Sequence, residues 1–176
     1  MLSSHLPVRG FSLVEVIIAV GIFATAVVLI LALLSPLTRQ AGASADILTA
    51  LRLPDVARTE LQRMSMTGGF DALAGQAKPM AATLPSTLAL ATSRDATRLQ
   101  PLNYLPPATA GQIPQAEQYF LIEAWTFNQA PLAFDPNGAV LSLHVRVSWP
   151  YFLPGATSPT LLTDREQVTF ALSLNR

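Results

Sequence analysis

The sequence predicts an α+β fold in which one long N-terminal helix packs on an antiparallel β-sheet. The first observation is a run without charged residues between Glu15 and Arg39, which contains the apolar stretch 16–34. The second is a series of segments in the last third of the chain in which residue types alternate with a period of two, as is typical of β-strands. The 176 residues are enough for about one domain with a substantial core.

Composition excludes several classes of site. The chain has no cysteine, which excludes a disulfide framework, a thiolate zinc site and a cysteine nucleophile. Its 11 basic and 11 acidic residues cancel, so charge gives no indication of a nucleic-acid partner. The two histidines, His5 and His144, leave little room for a histidine metal site. We therefore expect no cofactor and no metal.

The charge-free run is long enough to cross a membrane. As a helix it would extend about 34 Å, which exceeds the thickness of a bilayer core. Two simple interpretations are a secretory signal peptide, with small-residue cleavage sites within 41–45, and a plain single-pass anchor. Signal peptides have shorter apolar regions, of about 7–15 residues. Neither interpretation explains Glu15, a carboxylate among apolar residues with no lysine or arginine in the run to pair with it.

The residues at the start of this run resemble the type III signal of type IV prepilins and type II secretion pseudopilins: Arg9-Gly10-Phe11-Ser12-Leu13-Val14-Glu15. In that family a prepilin peptidase cuts after the glycine and methylates the new N-terminal phenylalanine. The resemblance implies cleavage between Gly10 and Phe11, N-methylation of Phe11, and an assembly role for Glu15. In the family this glutamate pairs with the N-terminal amine of a neighbouring subunit. The resemblance covers about residues 8–37. Within it, residues 17–24 are similar to the corresponding segment of the minor pseudopilins.

We therefore expect a leader peptide at 1–10, a transmembrane and assembly helix at 11–37, and a pilin-like globular domain at 38–176. The N-terminal helix would have a membrane half and an amphipathic half, the latter at 38–66 and lying on the globular domain. The apolar stripe on which this expectation depends recurs at helical spacing: Leu37, Ala41, Ser44, Leu48, Leu51, and then Leu61 and Met64. Thr67-Gly68-Gly69 predicts the end of the helix.

A β-meander is predicted at 117–175. Its strands lie around 119–127, 141–149 and 168–174, separated by the turn signal Asp135-Pro136-Asn137-Gly138 and by Pro154-Gly155. Upstream, residues 70–115 are rich in proline and predict a long surface loop with one short strand at about 87–92.

Few residues indicate chemistry. His144 lies on the polar face of a strand and is interpreted as a surface histidine, although spacing alone leaves a Ser-His-Asp arrangement open. Asp135 and Asn137 are better explained by a turn than by a calcium loop, since Arg146 stands where an EF-hand needs a glutamate. Trp149, Tyr151 and Phe152 are expected in core or edge packing, the alternative being an exposed aromatic patch for a partner.

The sequence thus predicts a non-enzymatic structural subunit, a minor pilin or pseudopilin of a type IV pilus-like or type II secretion filament. Its implied partners are prepilin peptidase, other pilin or pseudopilin subunits and the inner membrane, with the globular domain on the periplasmic or extracytoplasmic side. The count of positive charges does not set this orientation, because Arg39 and Arg52 follow the membrane half of the helix and Arg9 precedes it. The alternative is a secreted or singly anchored β-domain that binds a ligand or acts as an enzyme.

Overall fold

The computed structural model describes residues 12–80, 86–102 and 112–176. Helix α1 spans Leu13–Gly68 and is followed by the short helix α2, Phe70–Gln76. Among the described residues five strands follow in chain order: β1 (Leu88–Thr92), β2 (Leu99–Pro101), β3 (Phe120–Thr126), β4 (Val140–Trp149) and β5 (Glu166–Asn175). Single turns of 3-10 helix lie at Gln115–Glu117 and Leu162–Asp164.

The chain divides into two compact units, which we call the helical unit (Met1–Ala45) and the sheet unit (Asp46–Arg176). In the sheet unit the five strands form one sheet in the order β2-β1-β3-β4-β5. Every strand pairing is antiparallel, and β3, β4 and β5 follow one another as a meander. This arrangement of helix and antiparallel sheet confirms the predicted α+β, pilin-like layout.

The part of α1 that belongs to the sheet unit packs on one face of the sheet. Its buried apolar residues recur at steps of three and four and join a single core with alternate residues of the strands: Ala50, Leu53, Ala57, Leu61 and Met64. On the sheet side this core contains Phe120 and Ile122 from β3 and the odd-numbered residues of β4. Because side chains alternate along a strand, the even-numbered residues of β4 lie on the opposite face.

The predicted apolar stripe of the helix was wrong from Leu37 to Leu51, because all five of the predicted residues in that part of the helix are exposed. Leu48 and Leu51 are 62% and 60% exposed, and the buried face runs instead through Ala50 and Leu53. Two stripes with helical spacing lie side by side along this segment, so spacing alone does not choose between them. The stripe that is buried includes Ala50 and Ala57, both fully buried. Leu61 and Met64 are buried as predicted.

The end of helix α1 and the position of the short strand agree with the predictions from the sequence. Gly69 follows the last helical residue with φ of 92°, a conformation in which glycine is favoured, so the predicted end of the helix is confirmed. The short strand expected near 87–92 is β1, and it is fully buried. The remainder of the predicted loop region contains α2 and β2 among its described residues, which the proline-rich sequence did not indicate.

Candidate functional site: the N-terminal helix

The described helical unit is an apolar helix whose side chains are exposed. Its most apolar window has a mean hydropathy of 3.1, and none of that window is buried. Large side chains such as Ile22, Phe23 and Leu31 are each more than 60% exposed. The helix is long and apolar enough to cross a membrane.

Glu15 lies in the first turn of α1, where Ser12 caps the helix. The Glu15 backbone N–H donates to Ser12 Oγ at 3.2 Å and to the Ser12 carbonyl oxygen at 3.1 Å. Ser12 and Glu15 have the spacing of a capping box, in which a serine precedes a glutamate by three residues. The positive end of the helix dipole favours a carboxylate at this point. The Glu15 side chain is exposed, and no side chain of the described residues is bonded to its carboxylate.

The other two predicted site residues, Gly10 and Phe11, lie outside the described residues. Cleavage between them and methylation of Phe11 therefore stay predictions. Ser12 is the first described residue, and its carbonyl oxygen accepts hydrogen bonds from the backbone N–H groups of Glu15 and Val16.

A second polar site lies where α1 enters the sheet unit. Asp46, buried in the helix, accepts hydrogen bonds from Arg94 Nε and Nη2 at 2.9 Å each and from the Tyr119 hydroxyl at 2.7 Å. The Arg94 guanidinium also lies over the Tyr119 ring, 4.8 Å from its centroid. Burial of the phenol, together with its hydrogen bond to Asp46, raises the pKa of Tyr119 to about 12. These contacts connect α1 to the residues that follow β1 and to the residue that precedes β3.

The face of the sheet opposite the helix carries a buried ion pair. Glu123 of β3 lies directly across from Arg146 of β4, with Arg146 Nη2 2.7 Å from Glu123 Oε2. The Glu123 side chain is 2% exposed and that of Arg146 is 14% exposed. Glu123 Oε1 accepts a further bond from the Ser86 backbone N–H at 3.1 Å, and Arg146 lies over the Trp125 ring.

The remaining candidates have structural roles. Asp135 Oδ1 accepts from the Asn137 N–H at 2.9 Å, and its carbonyl accepts from the Gly138 N–H, which confirms the turn. A Cβ at Gly138 would come within 3.1 Å of that carbonyl oxygen, so any other residue would require the turn to shift by a few tenths of an ångström. Trp149 and Phe152 are buried, and Tyr151 is half-buried against the Phe152 ring and the Arg165 guanidinium, which confirms the predicted core or edge packing.

His144 is half-buried between the rings of Trp125 and Phe127, and its Nδ1 has no hydrogen-bond partner. It is therefore less exposed than the surface histidine that was predicted. Within the described ranges, no group of three or more acidic or histidine side chains could hold a metal ion.

Sequence reasoning missed both polar clusters of the sheet unit. Glu123 carried a usable signal, since it is the one charged residue in the strand Phe120–Thr126. Its pairing with Arg146 depends on the register that the connection between β3 and β4 sets, and alternation does not specify that register. Asp46, Arg94 and Tyr119 are far apart in sequence, and no spacing links them.

Comparison with protein-family models, with curated proteins and with solved structures gives no match for this chain.

Proposed function

We propose that this chain is a minor pilin or pseudopilin: a structural subunit of a type IV pilus-like or type II secretion filament, cut by prepilin peptidase between Gly10 and Phe11. The observation that carries the proposal is the exposed apolar helix that opens with Ser12, Leu13, Val14 and Glu15 and continues into a helix-on-sheet unit. A large exposed apolar surface needs a lipid or protein environment. In this proposal the inner membrane supplies it before assembly, and neighbouring helices supply it afterwards.

Glu15 is the residue that favours assembly over simple anchoring. A carboxylate near the end of an apolar helix adds a cost to insertion and gives nothing to an isolated anchor. Cleavage after Gly10 would create an amine on Phe11, four residues before Glu15. The Phe11 amine of one subunit and the Glu15 carboxylate of the next would then neutralise each other in an apolar environment and set the axial register of the filament.

The sheet unit supports a structural role in the same proposal. The two carboxylates that are buried in the described part of the unit, Asp46 and Glu123, are each paired with an arginine of the same unit. The unit would project on the periplasmic or extracytoplasmic side and present its surface to other subunits. A secreted or singly anchored β-domain is the alternative that the experiment must separate from this one.

The test is the substitution Glu15→Val in the full-length chain. Insertion into the membrane should become easier, and cleavage should proceed because Gly10 and Phe11 are unchanged. Incorporation beside other subunits should fall, since removing one member of a buried pair typically costs about 3–5 kcal/mol. Incorporation is measured by crosslinking to the major subunit in membranes that contain the assembly machinery.

Thr25→Val is the matched control. Thr25 is a second polar residue of the apolar helix, and its hydroxyl only donates to the Gly21 carbonyl oxygen, at 2.8 Å. The control removes a polar group of the same helix and should leave incorporation unchanged. If a cleaved and inserted Glu15→Val variant is incorporated as well as the Thr25→Val control, the assembly role is wrong and a plain anchor is the better explanation.

A further inference from the structure

The two edges of the sheet differ in how they are protected. Unpaired N–H and C=O groups at a sheet edge can pair with another chain, and proteins shield them with short strands, proline, lysine or bulges. Strand β2, at one edge, has three residues and ends at Pro101. Strand β5, at the other edge, has ten residues and pairs with β4 in continuous register from Glu166 to Asn175.

None of the usual protections is present on β5. Its sequence contains no proline or lysine, and the residues from Gln167 to Asn175 carry no charge. Its register to β4 has no bulge. Over the described ranges of the chain, its only strand neighbour is β4. Val168 and Phe170 of this strand are only half-buried, so an added strand would cover them further.

The ends of β5 show which strand would fit. Glu166 begins β5 and Arg176 directly follows it, so the two lie five residues on either side of Ala171. Both are on the helix-side face because their numbers are even, like Leu172 and Leu174 of the core. Arg176 pairs there with Asp71 of its own chain, so a second carboxylate would join an arginine that is already held in place. An antiparallel copy of the same strand, related by a two-fold axis at Ala171, would place each Glu166 opposite the other chain's Arg176. Opposite charges directly across an antiparallel pair are stabilising.

The rest of the same register is also complementary. It places opposite one another Val168 and Leu174, Phe170 and Leu172, Thr169 and Ser173, and Gln167 and Asn175. Registers centred one residue away lose the charge pair. Centring on Phe170 places Glu166 opposite Leu174, and centring on Leu172 places Arg176 opposite Val168.

We propose that β5 is a self-association edge, at which the sheet unit of a second copy of this chain adds antiparallel about Ala171 and makes one continuous sheet from two. The proposal concerns the sheet unit and is independent of pilin-type processing. Its isologous geometry follows from the two-fold axis, since each strand contributes the same residues.

The absence of cysteine makes a direct test possible. The full-length variant Ala171→Cys, in membranes and in detergent, should form a crosslinked dimer on oxidation or with a short thiol crosslinker. Directly opposed Cβ atoms in antiparallel strands are about 4.5–5.5 Å apart. Ser173→Cys is the matched control: it is exposed on the same strand face, but the register separates its two copies by four residues, about 13 Å. It should crosslink several-fold less.

Two further crosslinking experiments test the register of the paired strands. Thr169→Cys and Ser173→Cys should crosslink when the two variants are mixed, and not when either is alone. Glu166→Arg, added to Ala171→Cys, should lower the dimer yield because it faces Arg176. Equal crosslinking of Ala171→Cys and Ser173→Cys, or crosslinking of Ala171→Cys chiefly to a different protein, would overturn self-pairing.

Discussion

The helical unit and the sheet unit use the same apolar residue types in opposite environments. Leu29 of the helical unit is 60% exposed, whereas Leu61, on the same helix but in the sheet unit, is fully buried. Burying a leucine side chain contributes about 1.5–3 kcal/mol. The sheet unit obtains that free energy from its own strands. The helical unit has no such partner in its described residues, so its apolar surface needs a lipid or protein environment. Our proposal assigns that environment to the membrane and to neighbouring subunits.

The two units also differ in whether a carboxylate among apolar residues has an ion-pair partner. Glu123 is buried beside Arg146, 2.7 Å away, within its own sheet. Glu15 is exposed and has no ion-pair partner among the described residues. The sheet unit neutralises its charge internally, and our proposal assigns the partner of Glu15 to another subunit.

The largest effect is expected at the internal pair. Glu123→Ala leaves Arg146 buried without a partner and should lower the free energy of unfolding of the sheet unit by about 3–5 kcal/mol. Urea unfolding of the detergent-solubilised chain, followed by tryptophan fluorescence, measures it, because both tryptophans lie in the sheet unit. The double variant Glu123→Leu/Arg146→Leu should recover most of the loss. If Glu123→Ala lowers the free energy of unfolding by less than about 1 kcal/mol, the pair is not the stabilising contact.

The next effect compares two leucines of one helix. Leu61→Ala should cost about 2–5 kcal/mol in the unfolding of the sheet unit, because it leaves a cavity in the core. Leu29→Ala, the matched change in the helical unit, should shift the same transition by less than about 0.5 kcal/mol. Equal losses in the two variants would contradict the division into units.

The smallest effect is a pH dependence at the Asp46 cluster. The pKa of Tyr119 is raised from 10.0 to about 12, so the protonated phenol stabilises the folded state. That contribution is complete below pH 10 and is lost as the pH rises towards 12. Tyr119→Phe should therefore lower stability by about 1 kcal/mol at pH 8, through the lost hydrogen bond to Asp46, and should flatten the decline between pH 10 and 12.

Denaturation midpoints at pH 8, 10, 11 and 12 measure that dependence. The decline should be reduced and not abolished, because burial also raises the pKa of Tyr151. An unchanged slope in the Tyr119→Phe variant would show that the ionisation of Tyr119 does not govern stability in this range.

Sequence patterns predicted the fold where one physical signal dominated. The charge-free run predicted the apolar helix, and alternation predicted the helix-facing residues of β4 and β5, such as Leu143 and Leu172. The buried face of the helix was mistaken because Leu48 and Ala50 both belong to stripes of helical spacing. The helix cap that Ser12 forms with the Glu15 N–H is local and has a known sequence spacing, whereas the assembly role of Glu15 stays a prediction. The contacts of Asp46 with Arg94 and Tyr119 depend on tertiary packing over 48 and 73 residues of sequence, respectively, which no local pattern encodes.

The N-terminus of the mature, membrane-extracted protein tests the central claim most directly. Intact-mass and N-terminal peptide analysis should find a chain that starts at Phe11 and carries one N-methyl group, because Gly10 and Phe11 form the proposed processing site. A mature chain that starts near Ser44 or Asp46 would instead indicate signal-peptide removal, and an uncut chain that starts at Met1 would indicate a plain anchor. Either result would contradict the account of the helical unit as a processed assembly helix.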